Sequence, residues 1–431
     1  MIFPVGRLTK RPYGFLSDII KGMIFMKNYS LVGTGSRGTL AYLVPICKNF
    51  HQSAKITGVY DTSVKRAKAA VKMTGCDIPV FDDFDKMLKD AKPDCVIVTV
   101  PDADHDEYIV RSLNAGCDVI SEKPLSTTPE KFRRICEAEK NSGKSVTTTF
   151  NCRYMNHFEK IKEIIHSGEI DEIFSVHYEW LLDRDHGASY FRRWHRERKN
   201  SGSLLIHKST HHFDLLNWFL EDEPEEVNAF GNNFVYGKSE NMKNVRCLGC
   251  PKKDSCEFFY DVTKDPLDKA LYYECEEDSG YIRDKCLFSD EIDIEDTVSV
   301  NIKYKKGTVV SYSLTAHSPY EGAKIVFNGS LGRMEFCAIH GGGMYGGSAS
   351  NEFIIYYNSG KCEKISIPTS DGAHGGADIK MLDVILNGRE SDPLSQSADT
   401  RDGILAASIG MAANVSMKEN RRVGISELIR L

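Results

Sequence analysis

No apolar run in this 431-residue chain approaches the ~20 residues that a bilayer-spanning helix needs. An excess of basic residues is also missing. The formal net charge of -6 leaves no electrostatic footprint for nucleic acid or for an anionic membrane surface. Residues 1–25 carry scattered basic residues and apolar pairs at roughly helical spacing, but no continuous apolar core and no small-residue cleavage site. They read as an N-terminal extension, disordered or the product of an upstream start, with a natural start at Met26. The remaining composition, 41% hydrophobic and 27% charged, is that of a globular protein of two or three domains. Eight of the thirteen cysteines are scattered through expected strands and helices, where a reduced thiol serves as a small apolar residue, so a reducing cytoplasm is the expected compartment.

Short apolar runs at residues 29–32, 56–60, 96–100, 119–121 and 146–150 alternate with amphipathic helical windows. That alternation predicts an α/β fold with a parallel sheet over residues 26–150. The first run ends in Gly33-Thr34-Gly35-Ser36-Arg37-Gly38. A GxGxxG is weak by itself, but one that follows a strand and opens a helix predicts a dinucleotide diphosphate held against backbone N–H groups. Asp61 closes the second strand, where a carboxylate accepts ribose hydroxyls and disfavours a 2′-phosphate; it could equally cap the next helix. NAD is therefore expected over NADP. Thr99 and Pro101 close the third major run, with His105 near the next helix start as a cofactor contact or a structural residue. Lys123, in Ser121-Glu122-Lys123-Pro124, closes the fourth and should stand on the same sheet edge as the glycine loop.

Together, GxGxxG, the strand-end aspartate, Thr99-Val100-Pro101 with His105, Glu122-Lys123-Pro124 and Asn151-Cys152-Arg153-Tyr154 resemble the Gfo/Idh/MocA oxidoreductase family. The resemblance implies a Rossmann domain followed by a second α/β domain, residues 151–431, whose large, mostly antiparallel sheet is open on one face. It also implies a sugar, polyol or glycoside substrate, Asn151 and Glu122 at the cofactor, Arg153 and Tyr154 at the substrate, and a homo-oligomer through that sheet. Alternating apolar and polar residues in the second half agree with a half-exposed sheet.

Residues 206–218 read as one helix with His207, His211, Asp214 and Trp218 on a single stripe. Asp214 is placed to orient His211. In the resembled family this helix carries an aspartate and, four residues on, the histidine that accepts the substrate proton. His211 matches that histidine, whereas His207 replaces the aspartate and brings no fixed negative charge. Lys208 is a nearby source of charge. The i, i+4 histidines also have the spacing of a zinc pair, but no HExxH accompanies them. Upstream, His186 and the stretch Arg192-Arg193-Trp194 mix aromatic and cationic groups suited to a sugar, including an acidic one. His374, after a glycine stretch at 341–347, is a further substrate candidate.

Five cysteines fall in an insertion at about 236–292 with little apolar content. Cys247, Cys250, Cys256 and Cys286 are candidate thiolate ligands for a structural zinc or an iron–sulfur cluster, with Cys275 as an alternate and reduced, metal-free thiols as the other reading. Three functions remain in competition: an NAD-dependent dehydrogenase, an NAD-dependent glycoside hydrolase that oxidises transiently and eliminates, and a non-catalytic dinucleotide-binding sensor.

Overall fold

The structure is a computed structural model that describes residues 26–238, 242–340, 349–367, 373–388 and 391–429; the 1–25 extension and the 341–347 glycine stretch lie outside the described residues. The first unit holds β1 (Lys27–Val32), β2 (Ala54–Tyr60), β3 (Val80–Phe81), β4 (Cys95–Val98), β5 (Asp118–Glu122) and β6 (Val146–Thr149). They form one parallel sheet in the order β3-β2-β1-β4-β5-β6. Helices cover both faces, which is why a strand such as β4 is buried at every position and reads as an unbroken apolar run. The chain reverses its winding between β1 and β4. The carboxyl ends there open a crevice lined by the glycine loop, Thr99 and, one strand over, Lys123.

The second unit contributes β7 (Ile173–Asp183), β8 (Pro224–Asn232), β9 (Thr297–Tyr304), β10 (Val309–Ser318), β11 (Gly322–Gly329), β12 (Gly332–Ile339), β13 (Ser350–Tyr357), β14 (Cys362–Lys364) and β15 (Val423–Gly424). Their order is β14-β13-β12-β11-β7-β10-β9-β8-β15, antiparallel except where β7 pairs with β10. Buried and exposed residues alternate along β9 and β10, so one face carries the core. The helices Asn156–His166, Thr210–Leu220 and Thr400–Glu419 pack on that face through Phe158, Phe213, Leu216 and Ile409. The opposite face exposes Phe174, Phe230, Val309 and Tyr356. Thr400–Glu419 also joins the two units: Ile409 and Ala413 enter the core of the second, Ile404 and Met411 that of the first.

The single helix expected over 206–218 is two. Leu204–His207 ends, Lys208 and Ser209 make a turn, and Thr210–Leu220 begins anew. Tyr312 fixes that turn by donating to Ser209 Oγ at 2.8 Å while its oxygen stands 2.7 Å from His212 Nδ1. His212 is accordingly a packed histidine, stacked on Trp180.

The insertion departs further from expectation. Little apolar content implied little core, yet its apolar residues join the cores of both domains. Tyr236, Phe258 and Leu287 belong to the core of the sheet domain, and Leu271 and Tyr272 to the core beside the glycine loop.

Candidate active site

The glycine loop is shaped by close backbone approach. Gly33 has φ +89°, and a Cβ there would lie 2.7 Å from the Thr99 carbonyl carbon; a Cβ on Gly38 would collide with the Gly33 carbonyl oxygen and Thr99 Oγ1. Thr99 braces the turn by donating to Gly33 O at 2.5 Å. Helical structure follows from residue 36 to residue 49, π-type over Gly38–Leu43, so backbone N–H groups converge beyond the loop. This cradle is one that side chains would fill, and it fits the diphosphate of a dinucleotide. Asp61 sits beside it, already accepting from Thr34 N (2.7 Å), Thr34 Oγ1 (2.9 Å), Ser63 N (2.9 Å) and Arg66 Nη1 (2.9 Å). Its carboxylate therefore braces the loop and the next helix as well as lining the crevice.

The crevice is one cleft of about 510 Å³. From the expected set it gathers Gly33, Gly35, Ser36, Arg37, Asp61, Thr99, Pro101, His105, Glu122, Lys123, Asn151, His186, Trp194, His207, Lys208, His211 and His374. Arg37 donates to Glu122 (2.7 Å) and to Asp378 (3.0 Å), and Asp378 also accepts from Asn151 Nδ2 (2.9 Å) and meets His374 Nδ1 (2.8 Å). Burial opposes ionisation of Glu122, but Arg37 and Lys123 outweigh it and hold the carboxyl below its ordinary range. His105 is fully enclosed, with Nδ1 2.7 Å from Pro124 O and Nε2 2.9 Å from Val100 O. It holds the two strand ends together.

Lys123 Nζ donates to the His207 carbonyl oxygen at 2.7 Å, which ties the Rossmann strand end to the second domain. Burial lowers the Lys123 ammonium below the usual lysine value, with Asp102 and Glu122 pulling the other way. His207 Nδ1 lies 2.6 Å from Asp102 Oδ2. Burial raises the Asp102 carboxyl and, aided by Lys123 and His195, lowers the His207 imidazole, so this pair shares a proton in place of a separated charge pair. Asp102 thus sets a carboxyl beside His207 from across the cleft. His211 Nδ1 is buried with no partner among the described residues. Burial, then Lys123 and Lys208, drives His211 well below the ordinary histidine value, leaving a neutral base.

Five expectations are corrected here. Asp214 does not orient His211. It is buried and bound bidentately by Arg153, with Nε–Oδ2 at 2.8 Å and Nη2–Oδ1 at 2.6 Å, and neither residue lines the cleft. Both point into the packed side of the helix, where each charge needs the other. Tyr154 is 3% exposed in the core behind the glycine loop, away from substrate. Arg192 turns from the cleft to donate to Phe258 O and, at 3.1 Å, to Cys247 Sγ; Arg193, one residue on, lines the cleft instead. Finally, Cys247, Cys250, Cys256 and Cys286 surround one hollow, but among the described residues no group of three or more His, Cys, Asp or Glu is close enough to hold a metal ion. The four-thiolate zinc or iron–sulfur site is not formed. Cys275 stands apart, its Sγ on Ala270 O. Ion pairs hold the insertion instead: Arg246 reaches both oxygens of Glu276 at 2.7 Å and Asp284 at 2.6 Å.

Sequence reading missed Asp102, Tyr190, His195, Tyr272, Tyr281 and Arg283, all of which line the cleft. Asp102 carried a usable signal, since it directly follows the strand-end Pro101. The three insertion residues carried none, because only packing brings them over the glycine loop.

Residues 27–150 match the Gfo/Idh/MocA model described as an oxidoreductase family with an NAD-binding Rossmann fold, and residues 162–425 match that family's C-terminal alpha/beta domain. YteT of Bacillus subtilis (strain 168), whose name calls it an oxidoreductase and nothing finer, is 36% identical over 94% of this chain and 99% of its own. Inositol 2-dehydrogenase of Rubrobacter xylanophilus is 28% identical over 51% of this chain and 59% of its own length. Among solved structures, the WlbA dehydrogenase of Bordetella pertussis, in complex with NADH and UDP-GlcNAcA, superposes with a TM-score of 0.65. It shares 17% identity over 94% of this chain and 100% of that one, a likeness of fold. Among the described residues no helix is long and apolar enough to cross a membrane. By both of its domains, the chain belongs to the Gfo/Idh/MocA family of NAD-binding oxidoreductases.

Proposed function

We propose that this protein is an NAD-dependent dehydrogenase of a hydroxyl-bearing carbon in a sugar, polyol or glycoside. The observation that carries the reading is the convergence of Lys123, His207 and His211 with the glycine loop on one cleft. When bound, NAD supplies the hydride acceptor; Gly33, Gly35, Ser36 and Gly38 would hold its diphosphate, and Asp61 would face its ribose. The chain's own groups manage the proton. Neutral His211 accepts it from the substrate hydroxyl, which a cationic imidazole could not do. Lys123, fixed by the His207 carbonyl, donates a hydrogen bond to the same oxygen and stabilises the negative charge that develops there. Asp102 holds the His207 ring and shares its proton.

Substrate charge is the finer part of the reading. Arg193 and Lys208 line the cleft, and among the described residues neither makes an ion pair. Two such cations favour a sugar bearing a carboxylate. Assembly through the outer sheet face, with its exposed Phe174 and Phe230, and a cytoplasmic location complete the proposal.

Turnover of sugars, uronic acids and glycosides with NAD tests it, read as NADH absorbance together with product. Lys123→Ala and His211→Ala should each lower kcat by about 10²–10⁴-fold while the NADH Kd moves by no more than about threefold. Wild-type turnover in both variants would sink the assignment.

A further inference from the structure

The insertion touches the dinucleotide half of the cleft more closely than any sugar role requires. Tyr272 Oη accepts from Ser36 N at 2.8 Å and lies 3.0 Å from Ser36 Oγ, so its hydroxyl stands on one of the N–H groups that the loop turns toward a diphosphate. Arg283 stacks on the Tyr272 ring, its guanidinium carbon 4.0 Å from the centroid, and is steadied by Asp268 at 2.9 Å. Arg66, which lines the same cleft, donates through Nε to Leu271 O at 2.8 Å and through Nη1 to Asp61 at 2.9 Å, while its buried Nη2 has no partner among the described residues. Asp278 accepts from Ser63 Oγ and, at 3.1 Å, from Lys65 N, fastening the insertion to the start of helix Val64–Thr74.

The far side of the insertion is fastened to the other domain. Arg192 donates to Phe258 O, Arg196 Nη1 to Cys286 O at 3.0 Å, and Arg184 pairs with Glu257 at 2.7 Å. One segment therefore spans both walls of the cleft and belongs to both cores.

We propose that the insertion is a clasp on the dinucleotide, in which Tyr272, Arg283 and Arg66 bind its diphosphate and slow its release, so that the cofactor stays bound from one turnover to the next. The Tyr272 hydroxyl, which now takes the Ser36 N–H, turns off it when a phosphate oxygen takes its place and donates to that oxygen; the two guanidiniums supply charge in a partly dehydrated wall. Retention carries a chemical consequence. The hydride taken from one hydroxyl-bearing carbon, which carries the electron pair, passes back to a carbonyl carbon of the same sugar or of a second one when such an acceptor is present, and free NADH accumulates only as fast as the clasp releases it. The clasp rests on the dinucleotide site and not on the identity of the sugar.

Full-length protein and stopped-flow displacement of bound NADH by excess NAD test the clasp. The wild type should keep a near-stoichiometric dinucleotide through gel filtration. Tyr272→Phe keeps the ring and loses only the hydroxyl; it should release NADH about tenfold faster, the worth of one hydrogen bond to a charged group. Asp278→Ala, an exposed change that unfastens the insertion, should raise release by a smaller factor. ADP-ribose and a uronate separate the two sources of an anion: weaker ADP-ribose with unaltered uronate supports the clasp, and the reverse overturns it. Unchanged NADH release in both variants, each confirmed folded by its melting temperature, also overturns it. Binding without any sugar turnover would instead defeat the dehydrogenase reading and leave the clasp standing.

Discussion

The two walls of the cleft are built on different physical terms. The glycine-loop wall is backbone: Gly33 and Gly38 sit where a single Cβ would collide with Thr99 or with the loop's own carbonyl, and Gly33 N and Thr34 N donate to Tyr60 O and Asp61 at the end of the next strand. The facing wall is made of side chains that meet partners from distant stretches, such as His207 with Asp102 and Tyr272 with Ser36, and it is backed by the buried pair Arg153 with Asp214. A backbone wall is specified by residue type at fixed spacing. A side-chain wall is specified by which remote partner arrives, and its failure modes are those of unpaired charge.

The sharpest way to break this contrast is at Asp214. If the facing wall depends on remote pairs, Asp214→Ala takes from the buried Arg153 its bidentate partner and leaves it only Asp402 at 3.6 Å and the carbonyls of Ser395 and Ser397, behind the helix that carries His211. A loss of about 3–5 kcal/mol is expected, read by denaturant unfolding, with failure to accumulate as its extreme form. A loss below ~1 kcal/mol would show that the pair is dispensable and the contrast overdrawn. On the opposite wall, Gly38→Ala should weaken NADH binding about 100-fold by fluorescence titration, because the new Cβ displaces the Gly33 carbonyl and distorts the diphosphate cradle. The global stability should fall far less than in Asp214→Ala.

These walls also differ in how much of them could be read from the sequence. The glycine loop, Asp61 and Lys123 were legible because each is tied to a strand end; His207 and His211 were marked by the family resemblance, although the single helix expected to carry both breaks between them at Lys208 and Ser209. The mostly antiparallel sheet was implied by the family resemblance and agreed with the alternation, although β13, β14 and β15 were not anticipated. Asp214 was misread for a definite reason. It shares a helical stripe with His211, yet Arg153, 61 positions away, draws its carboxylate to the packed side. Arg192 and Arg193 illustrate the same limit, since adjacent residues diverge and only the docking of Phe258 decides which one faces the cleft. The cysteine spacing suggested a metal site, but the energetics of the insertion lie in Arg246 with Glu276 and Asp284, and in apolar contacts with two domain cores. Spacing within a segment does not report which neighbours stabilise it.

Acid sharpens the comparison further, because the facing domain buries histidines. His157 is stacked on Phe336 at 5.2 Å, and burial, with His340 as a lesser cause, pushes its imidazole down to about 3. The unfolded chain takes up this proton near pH 6.5. Folding is therefore favoured by the neutral ring above pH 6.5, and that contribution is lost as pH falls from 6.5 toward 3, by at most about 1.4 kcal/mol per pH unit. His157→Phe removes the proton uptake and keeps the stacking. The difference in melting temperature between pH 7 and pH 4.5 should be smaller in the variant than in the wild type. Equal differences would place the His157 ring in contact with water.

The smallest effect is expected inside the insertion, where the backbone wall and the side-chain wall meet. Arg246 joins the helix Glu276–Ser279 to the buried Asp284 carboxylate. Replacing it with alanine strands Asp284, which keeps the backbone N–H of Leu248 at 2.8 Å as a remaining donor, so the loss should be near 1–2 kcal/mol. Since the segment is anchored at both ends by Arg192, Arg196 and Asp278, the loosening should stay local. Hydrogen exchange should rise across residues 246–286 while β1, β4 and β5 keep wild-type protection. Exchange that spreads into β1 and the glycine loop would mean that the two walls form one cooperative unit. The division between a backbone-built half and a side-chain-built half would then describe their construction but not their stability.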